Sequence, residues 1–508
     1  MGRTRTPTRR GGRDDARGVS TPGGAGPWSP SRRGLTIGLL LSVTTHALAA
    51  LAVVTIAPRI PAELGGLELY GWLFSGYLLT SLLGTVWGGG EADRRGLRSP
   101  FAIGLGAFGL GLGLAAVAPS MLWVVGARAL QGFGGGAVTT LVYVAVTRAY
   151  PDRHRSRLMA YLSTAWVTPA LIGPALAGAM AEAAGWRSVF VALAAALTLV
   201  ALLTLPRLGS AEASTDADAS TDAQASTGAG LLPALGVVAG LGAVLAALSW
   251  WTDRGGGATA AASVAIVAGL VAAAMGLRRL LPAGTLRLSP GLGTLVVTRA
   301  GFFAGFIGVE AFLALMLTDL QGLSSALTGA VIATGAISWT AGSWWQARRD
   351  ASDEGRGARG RRVVIGVGFL GVGLGLQGAA LAGVGDDASW VTAVAVLGWM
   401  TAGFGIGTAH ATSSVFAFAL AESDGVAAGR VSVALQLADN VGAAFVTGLA
   451  GAALAFVNAA TVGSANGSGA VSQAGVAAAF AVAWGAWLLS YVAARRNARS
   501  TPTAASRS

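Results

Sequence analysis

Residues 90–98 read GEADRRGLR and join two apolar stretches, 70–90 and 100–118. Each stretch approaches the length of about 20 mainly apolar residues that a helix needs to cross a bilayer. Backbone groups in lipid must form their hydrogen bonds within their own segment, so we expect both stretches to be helices. This part of the sequence therefore predicts two antiparallel membrane helices joined by a short basic turn.

The rest of the chain repeats the same pattern. Of its 508 residues, 53% are hydrophobic and 11% are charged, whereas a soluble domain carries about 25% charged residues. The chain contains no cysteine, which excludes disulfides, thiolate metal sites and cysteine nucleophiles. We identify fourteen candidate spans, which fall at about 35–57, 70–90, 100–118, 121–147, 158–180, 188–206, 231–251, 260–281, 291–318, 325–346, 363–384, 389–418, 431–457 and 473–494.

The placement of the arginines predicts the orientation of these spans. Cytoplasmic loops of membrane proteins carry an excess of basic residues. If the N-terminal tail is cytoplasmic, that side also holds Arg94, Arg148, the cluster 348–362 and the C-terminal arginines. The opposite side then holds only Arg59, Arg187 and Arg254. The net charge of +12 is thus explained by topology, and we expect cytoplasmic termini and no binding to nucleic acid.

The loop motif is more specific than a basic turn requires. Besides its arginines it places Asp93 between two glycines, with the pattern formed by Gly90, Asp93, Arg94, Gly96 and Arg98. This pattern resembles the loop signature of the major facilitator superfamily, G-x-x-x-D-R-x-G-R-R, although one arginine position is a leucine here. The resemblance implies that the loop acts as a conformational latch. The plainer alternative is a short basic turn after a helix.

Span four contains Arg128 within the sequence RALQGFGGG. An arginine in a span costs about 2.5–3.5 kcal/mol on insertion scales, so it is expected to face the bundle interior. The resemblance implies a role in proton transfer. The alternative is a structural arginine that donates to backbone carbonyls.

Span five contains Pro169, Gly173, Pro174 and Gly178. Prolines remove backbone hydrogen bonds and bend a helix, and the glycines allow close packing. The stretch resembles the antiporter signature G-x-x-x-G-P-x-x-G-G of exporters, with alanine at two of its glycine positions. Residues 70–79 also resemble the start of span two in the fourteen-span drug:proton antiporter family. Residues 342–349 resemble a second copy of the loop motif without its Asp.

Three polar side chains of span thirteen and one carboxylate of span nine are candidates for proton coupling or the substrate cavity. Span thirteen contains Gln436, Asp439 and Asn440, and span nine contains Glu310 with Arg299 eleven residues before it on nearly the same face. Carboxylates in spans are rare and usually face a cavity, and burial favours their protonated form. The alternative is a structural pair or a bond to the helix backbone.

Two histidines, His46 and His410, also fall in spans, where a lone histidine is more often a packing residue than a proton carrier. Many drug:proton antiporters have an acidic residue in span one, and this chain has none there. Proton coupling, if present, is then expected to use Asp439 or Glu310. Trp166, Phe302, Phe303 and Trp339 are candidate aromatic residues of the cavity.

The resemblance implies an all-α integral membrane protein with two pseudo-symmetric six-helix bundles. The expected parts are a disordered cytoplasmic tail (1–33), an N-terminal bundle (34–206), a low-complexity cytoplasmic linker (207–230), two inserted transmembrane helices (231–289), a C-terminal bundle (290–495) and a cytoplasmic tail (496–508).

The expected function is proton-coupled export of small amphipathic or cationic compounds by alternating access, in the cell membrane and as a monomer. The expected partners are the small-molecule substrate, protons and the bilayer. We expect the proton gradient as the energy source and no cofactor, because we find no phosphate-binding loop of the Walker type. The alternatives are a transporter of a metabolite, sugar or lipid with the same fold, and a non-transporting membrane sensor. We expect no enzyme, since three scattered histidines and no cysteine offer no catalytic cluster.

Overall fold

The computed structural model describes residues 26–30, 32–212, 230–253, 259–350, 355–385, 388–462 and 471–500. All regular elements within these ranges are helical. Most of the predicted tail 1–33, residues 213–229 of the predicted linker, Arg254 and the last eight residues lie outside them. The domain boundaries that we expected from the sequence stay predictions.

Fourteen long helices and one short helix, α2, follow each other along the described chain. Their bounds are Arg33–Ile56 (α1), Arg59–Leu64 (α2), Trp72–Arg95 (α3), Arg98–Ala116 (α4), Met121–Ala149 (α5), Asp152–Ala184 (α6), Trp186–Glu212 (α7), Leu231–Asp253 (α8), Thr259–Leu280 (α9), Leu292–Leu315 (α10), Ser325–Asp350 (α11), Arg356–Ala382 (α12), Ala388–Ser423 (α13), Ala428–Val462 (α14) and Gln473–Ser500 (α15). Helix α10 continues into a π-helical turn, Met316–Leu320.

Thirteen of these helices are long and apolar enough to cross a membrane, which confirms the prediction of an all-helical, multi-pass membrane protein. The expected span 325–346 forms α11, which is long enough but is not among the thirteen. Serine, threonine, glycine and tryptophan are frequent in this stretch, and they lower its mean hydropathy. The count of fourteen spans therefore stays a prediction.

The long helices pack in two groups. Helices α1 and α3–α7 pack against one another and are called the N-half here, and helices α10–α15 form a second such group, the C-half. Helices α8 and α9 pack together, and α8 contacts α3 and α14. We call the end of the molecule where α3 ends the Asp93 side, and the end where α1 ends the Arg59 side.

The two halves repeat one way of packing helices. A Cβ atom at Gly136 of α5 would overlap the carbonyl oxygen of Ser81 in α3, and one at Gly407 of α13 would overlap the carbonyl oxygen of Trp339 in α11. In both halves a second glycine, four residues earlier, approaches the same neighbouring helix equally closely. The glycine-rich stretches of α5 and α13 thus let the facing backbones touch, as small residues do in membrane helices.

Hydrogen bonds between the halves lie on the Arg59 side. The Arg59 Nε donates to Ser325 Oγ at 2.7 Å, and the backbone N–H of Ala326 donates to Glu182 Oε1 at 3.0 Å. These contacts join α2 and the end of α6 to the start of α11. They hold the two halves together at this end of the molecule.

Helices α3 and α14 close the same side by direct backbone packing. A Cβ atom at Gly71 would lie 2.8 Å from the Cα atom of Gly451. Beside this contact, the Tyr70 hydroxyl donates to the carbonyl oxygen of Ala311 at 3.0 Å, and its ring packs against Phe312 with centroids 5.5 Å apart. The Arg59 side is therefore the closed side of this structure.

Candidate functional site

An ion pair lies between membrane helices of the C-half. The Arg299 Nε donates to Asp439 Oδ1 at 2.9 Å, and the Arg299 Nη2 donates to Asp439 Oδ2 at 2.7 Å. The two side chains are only 5% and 13% exposed. Bidentate arginine–carboxylate pairs form strong, charge-assisted hydrogen bonds with a defined geometry, and this one joins α10 to α14.

Three residues of α13 complete what we call the Arg299 network. The Arg299 Nη1 donates to Ser414 Oγ at 2.7 Å, to Ser413 Oγ at 3.2 Å and to the His410 carbonyl at 3.2 Å. The His410 Nε2 lies 2.6 Å from Arg299 Nη2 and 3.3 Å from Asp439 Oδ2. Because a guanidinium only donates, the 2.6 Å contact makes His410 Nε2 an acceptor.

The spacing in the sequence explains how the network assembles. His410, Ser413 and Ser414 are three and four residues apart and so share one face of α13. Helices α10 and α14 come close because a Cβ atom at Gly442 would lie 2.6 Å from the carbonyl oxygen of Ala300. Sequence reasoning did not select Arg299 and these two serines as site residues, although an arginine in a span and the i, i+3, i+4 spacing were available signals.

An aromatic cluster borders the network. The Phe303 and Trp339 rings lie with their centroids 5.7 Å and 5.5 Å from that of His410, and Phe306 packs on Trp339 at 5.4 Å. Phe303 and Trp339 are partly buried. Phe302, another of the candidate cavity residues, is fully buried, and that these residues line a cavity stays a prediction.

Glu310, Gln436 and Asn440 stay outside the Arg299 network. Glu310 lies about 16 Å along α10 from Arg299, given the helical rise of about 1.5 Å per residue, and is partly buried. Within the described part of the chain it makes no hydrogen bond or ion pair. Gln436 and Asn440 are also partly buried and make no hydrogen bond to the network. Of the predicted acidic candidates, the structure thus pairs Asp439 alone.

In the N-half, Arg128 is buried among neutral partners. Its Nε donates to the Leu73 carbonyl at 3.1 Å, its Nη1 donates to Gln131 Oε1 at 2.7 Å, and its guanidinium lies 4.1 Å from the centre of the Tyr77 ring. The hydroxyl of Tyr77 lies 3.3 Å from His46 Nδ1. These contacts are those of a structural arginine, and its role in proton transfer stays a prediction.

The predicted latch loop forms an ion pair within the N-half. The Arg148 Nη2 donates to Asp93 Oδ1 at 2.5 Å, and its Nη1 donates to the Ala92 carbonyl at 2.8 Å, which joins the ends of α5 and α3. Gly96 has φ +75°, a conformation that favours glycine, and ends α3. Gly90 lies inside α3, and Arg94 and Arg98 are exposed; Arg94 pairs with Glu91 at 3.2 Å.

The antiporter-type stretch lies in α6, which continues through Pro169 and Pro174. A Cβ atom at Gly178 would overlap the carbonyl oxygen of Ser325, and one at Gly329 would overlap the carbonyl oxygen of Pro174. This stretch of α6 thus packs directly on α11 of the other half. Gly173 packs on α1, since a Cβ atom added to it would lie 2.7 Å from the Cδ1 atom of Leu48.

Comparisons with known proteins agree with this architecture. The family model described as the Major Facilitator Superfamily matches residues 37–447, which is most of the chain. Among solved structures, that of an auto inhibited POT family peptide transporter superposes with a TM-score of 0.63 and 17% sequence identity, covering 92% of this chain and 97% of that one. At this identity the likeness concerns the fold alone.

Two bacterial relatives carry efflux names. The chain is 34% identical over 157 residues to the probable multidrug-efflux transporter Rv1634 of Mycobacterium tuberculosis, which covers 31% of this chain and 33% of the relative. It is 30% identical over 161 residues to the multidrug transporter protein MdtP of Bacillus subtilis, and this match covers 32% of this chain and 30% of the relative. The chain thus matches about a third of the length of these curated relatives.

These matches confirm the resemblance predicted from the loop and antiporter-type motifs, and with it the prediction of a transporter rather than an enzyme. The chain is similar to multidrug-efflux transporters and crosses the membrane several times. The family model covers well over half of the chain, and the chain therefore belongs to the major facilitator superfamily.

Proposed function

We propose that this transporter exports small amphipathic or cationic compounds in exchange for protons, by alternating access between its two halves. In this scheme it has fourteen spans with both termini in the cytoplasm, and it works as a monomer in the cell membrane. The proton gradient is the energy source, without a cofactor. A proton that moves inward down about 100 mV supplies about 2.3 kcal/mol.

The Arg299–Asp439 pair is the observation that carries the proposal. A buried ion pair in a membrane is costly, and such pairs mark ion and proton pathways. Asp439 can be neutralised by a proton, whereas an arginine keeps its charge. Protonation of Asp439 would therefore remove the counter-charge of Arg299 and weaken the link between α10 and α14. His410, at 3.3 Å from the same carboxylate, offers the next protonatable group.

The distribution of contacts between the halves supports alternating access. In this structure Arg59, Glu182 and Tyr70 join the halves on the Arg59 side, which is the outer side in the proposed topology. Arg299 lies within the first eight residues of α10, nearer the Asp93 side. In this state Asp439 would thus exchange its proton with the cytoplasm.

The aromatic side chains beside the network, together with Glu310 farther along α10, support the substrate class. Phe303, Phe306 and Trp339 offer apolar, polarisable surface, and Glu310 offers a carboxylate without a cationic partner among the described residues. Aromatic faces and an unpaired carboxylate together suit an amphipathic cation. The efflux names of the two bacterial relatives support export rather than uptake.

The test uses everted membrane vesicles and a fluorescent cationic dye. A pH gradient, acidic inside the vesicle, is imposed without nucleotide, and we expect dye to accumulate. Asp439→Asn should abolish this accumulation, while Asp424→Asn, at an exposed carboxylate after α13, should leave it unchanged. Accumulation of a neutral metabolite, sugar or lipid instead of the dye would favour the other substrate classes, and no gradient-driven transport of any compound would contradict the proposal.

A further inference from the structure

The inserted helices leave an apolar groove where they meet the C-half. It is a cavity of about 330 Å³ between α8, α9, α10 and α14, with walls that include Leu270, Leu277, Val297 and Phe445. Thr285 is its one polar lining residue among those described. The volume lies within the range of about 300–1,000 Å³ that is usual for small-molecule sites. Such a lining requires an apolar occupant.

Three arginines are sequence neighbours of residues that line the groove towards the Asp93 side. Arg278 and Arg279 lie between the lining residues Leu277 and Leu281, and Arg287 follows the lining residue Leu286. All three are exposed, and within the described ranges none makes a hydrogen bond or ion pair. The sequence has no acidic residue between 259 and 309. An apolar slot is thus followed in the sequence by a concentrated positive charge that has no acidic partner among the residues the structure describes.

We infer that this groove binds one anionic phospholipid of the surrounding bilayer, with an acyl chain in the groove and the phosphate at Arg278, Arg279 and Arg287. Helices α9, α10 and α14 cross the apolar layer, so the groove lies at the depth of acyl chains. Their ends on the Asp93 side lie at the depth of head groups, where arginines are attracted to an anionic surface. This inference goes beyond the proposed function and does not depend on it.

The groove lies directly behind the Arg299–Asp439 pair, so a bound lipid would affect the helices that carry this pair. Ala300 and Ala438, which line the groove, are each one residue from Arg299 and Asp439, which face the other way into the network. Ala300 also lies at a close approach of α10 and α14, opposite Gly442. A bound acyl chain would therefore support the packing of the two helices that the ion pair joins.

Native mass spectrometry of the purified full chain tests the binding. Protein in detergent is mixed with phosphatidylglycerol or with phosphatidylcholine of the same chains, and we expect one phosphatidylglycerol to be retained at least tenfold better. The triple variant R278Q/R279Q/R287Q should lose this preference. The matched control R157Q/R348Q/R361Q removes three exposed arginines of the same side, in α6, α11 and α12, none of which lines the groove, and should keep it.

A second variant tests the groove itself. Leu270 lines it and is 46% exposed, so Leu270→Trp can fill the slot without disturbing the core and should also lower retention. Equal retention of both lipids by the unchanged protein, or equal losses in the two triple variants, would overturn the proposal. It would also be overturned if a cationic dye bound the groove in place of lipid, with Leu270→Trp abolishing dye binding and leaving lipid retention intact.

Discussion

Arg299 and Asp439 stand 140 residues apart in the sequence and form a bidentate ion pair inside the membrane-spanning part of the C-half. The pair fixes α10 against α14, and His410 touches both partners. Two helices of the N-half pack on the C-half: α3 contacts α14, and α6 contacts α11. Because α14 carries Asp439, a change in the ion pair can reach the surface where the two halves meet. The proposed coupling of a proton to alternating access rests on this relationship.

Replacing Asp439 with Asn removes the charge that compensates Arg299. Breaking a buried pair in this way destabilises a protein by about 3–5 kcal/mol, so we expect a lower melting temperature together with the loss of proton-driven dye transport. The melting temperature of purified protein and transport in vesicles measure the two effects. The double variant Arg299→Gln/Asp439→Asn should regain much of the stability without regaining transport. A single variant that transports at the normal rate would exclude Asp439 from coupling.

Replacing Asp93 with Asn tests the latch. The Asp93–Arg148 pair is partly exposed, and such pairs contribute about 0–1 kcal/mol, so the stability should change little. If the pair holds one conformation of the cycle, turnover should fall several-fold while dye affinity stays the same. Steady-state transport and equilibrium dye binding measure the two quantities. An Asp93→Asn variant with weaker binding and unchanged turnover would contradict the latch role.

Replacing Gly178 with Leu tests the packing of α6 on α11. The added side chain has no space beside Ser325, and overpacking of this kind costs about 1–3 kcal/mol. We expect the Arg59 side to open. The chain lacks cysteine, so cysteines introduced at Glu182 and Ala326 report closure by forming a disulfide. Gly113→Leu, at a helical position of α4 with no atom within 4 Å of an added Cβ, is the matched control for packing, and equal cross-linking in Gly178→Leu and the unchanged protein would refute the expectation.

Replacing Glu310 with Gln separates substrate recognition from proton coupling. Glu310 makes no ion pair within the described ranges, so removing its charge should leave the stability unchanged or higher. We expect the KM for a cationic dye to rise while proton-driven transport of a neutral amphipathic compound persists. Transport assays with the cationic dye and with the neutral compound, each in the unchanged protein and in Glu310→Gln, measure this difference. Loss of transport for both compounds would instead assign Glu310 to the coupling step.

Much of the fold followed from local properties of the sequence. The length of the apolar stretches alone predicts the thirteen helices that are long and apolar enough to cross a membrane. This works because backbone groups in lipid must be hydrogen-bonded within the chain, which a helix achieves. Helix α11 shows the limit of this rule, since its polar and small residues serve packing against α6 and α13 at the expense of hydropathy. The motifs around Asp93 and Gly178 predicted the family, which the family model confirms.

The candidate site was harder to predict, because it depends on contacts between distant parts of the chain. Asp439 and Glu310 look alike in the sequence, as single carboxylates in apolar helices. Only the approach of α10, α13 and α14 distinguishes them, since it places Arg299 and His410 beside Asp439 and leaves Glu310 without a partner among the described residues. Likewise, the neutral partners of Arg128, Leu73 and Gln131, could not be read from the sequence, and its role in proton transfer stays a prediction.

The central claim, that substrate export is coupled to protons through Asp439, is tested most directly by measuring the proton movement that the substrate causes. Purified protein is reconstituted into vesicles that contain a pH-sensitive dye, and the transported cation is added without any imposed gradient. We predict that the substrate drives a stoichiometric counter-movement of protons in the unchanged protein and none in Asp439→Asn. Substrate transport without proton movement, or equal proton movement in both proteins, would contradict the account.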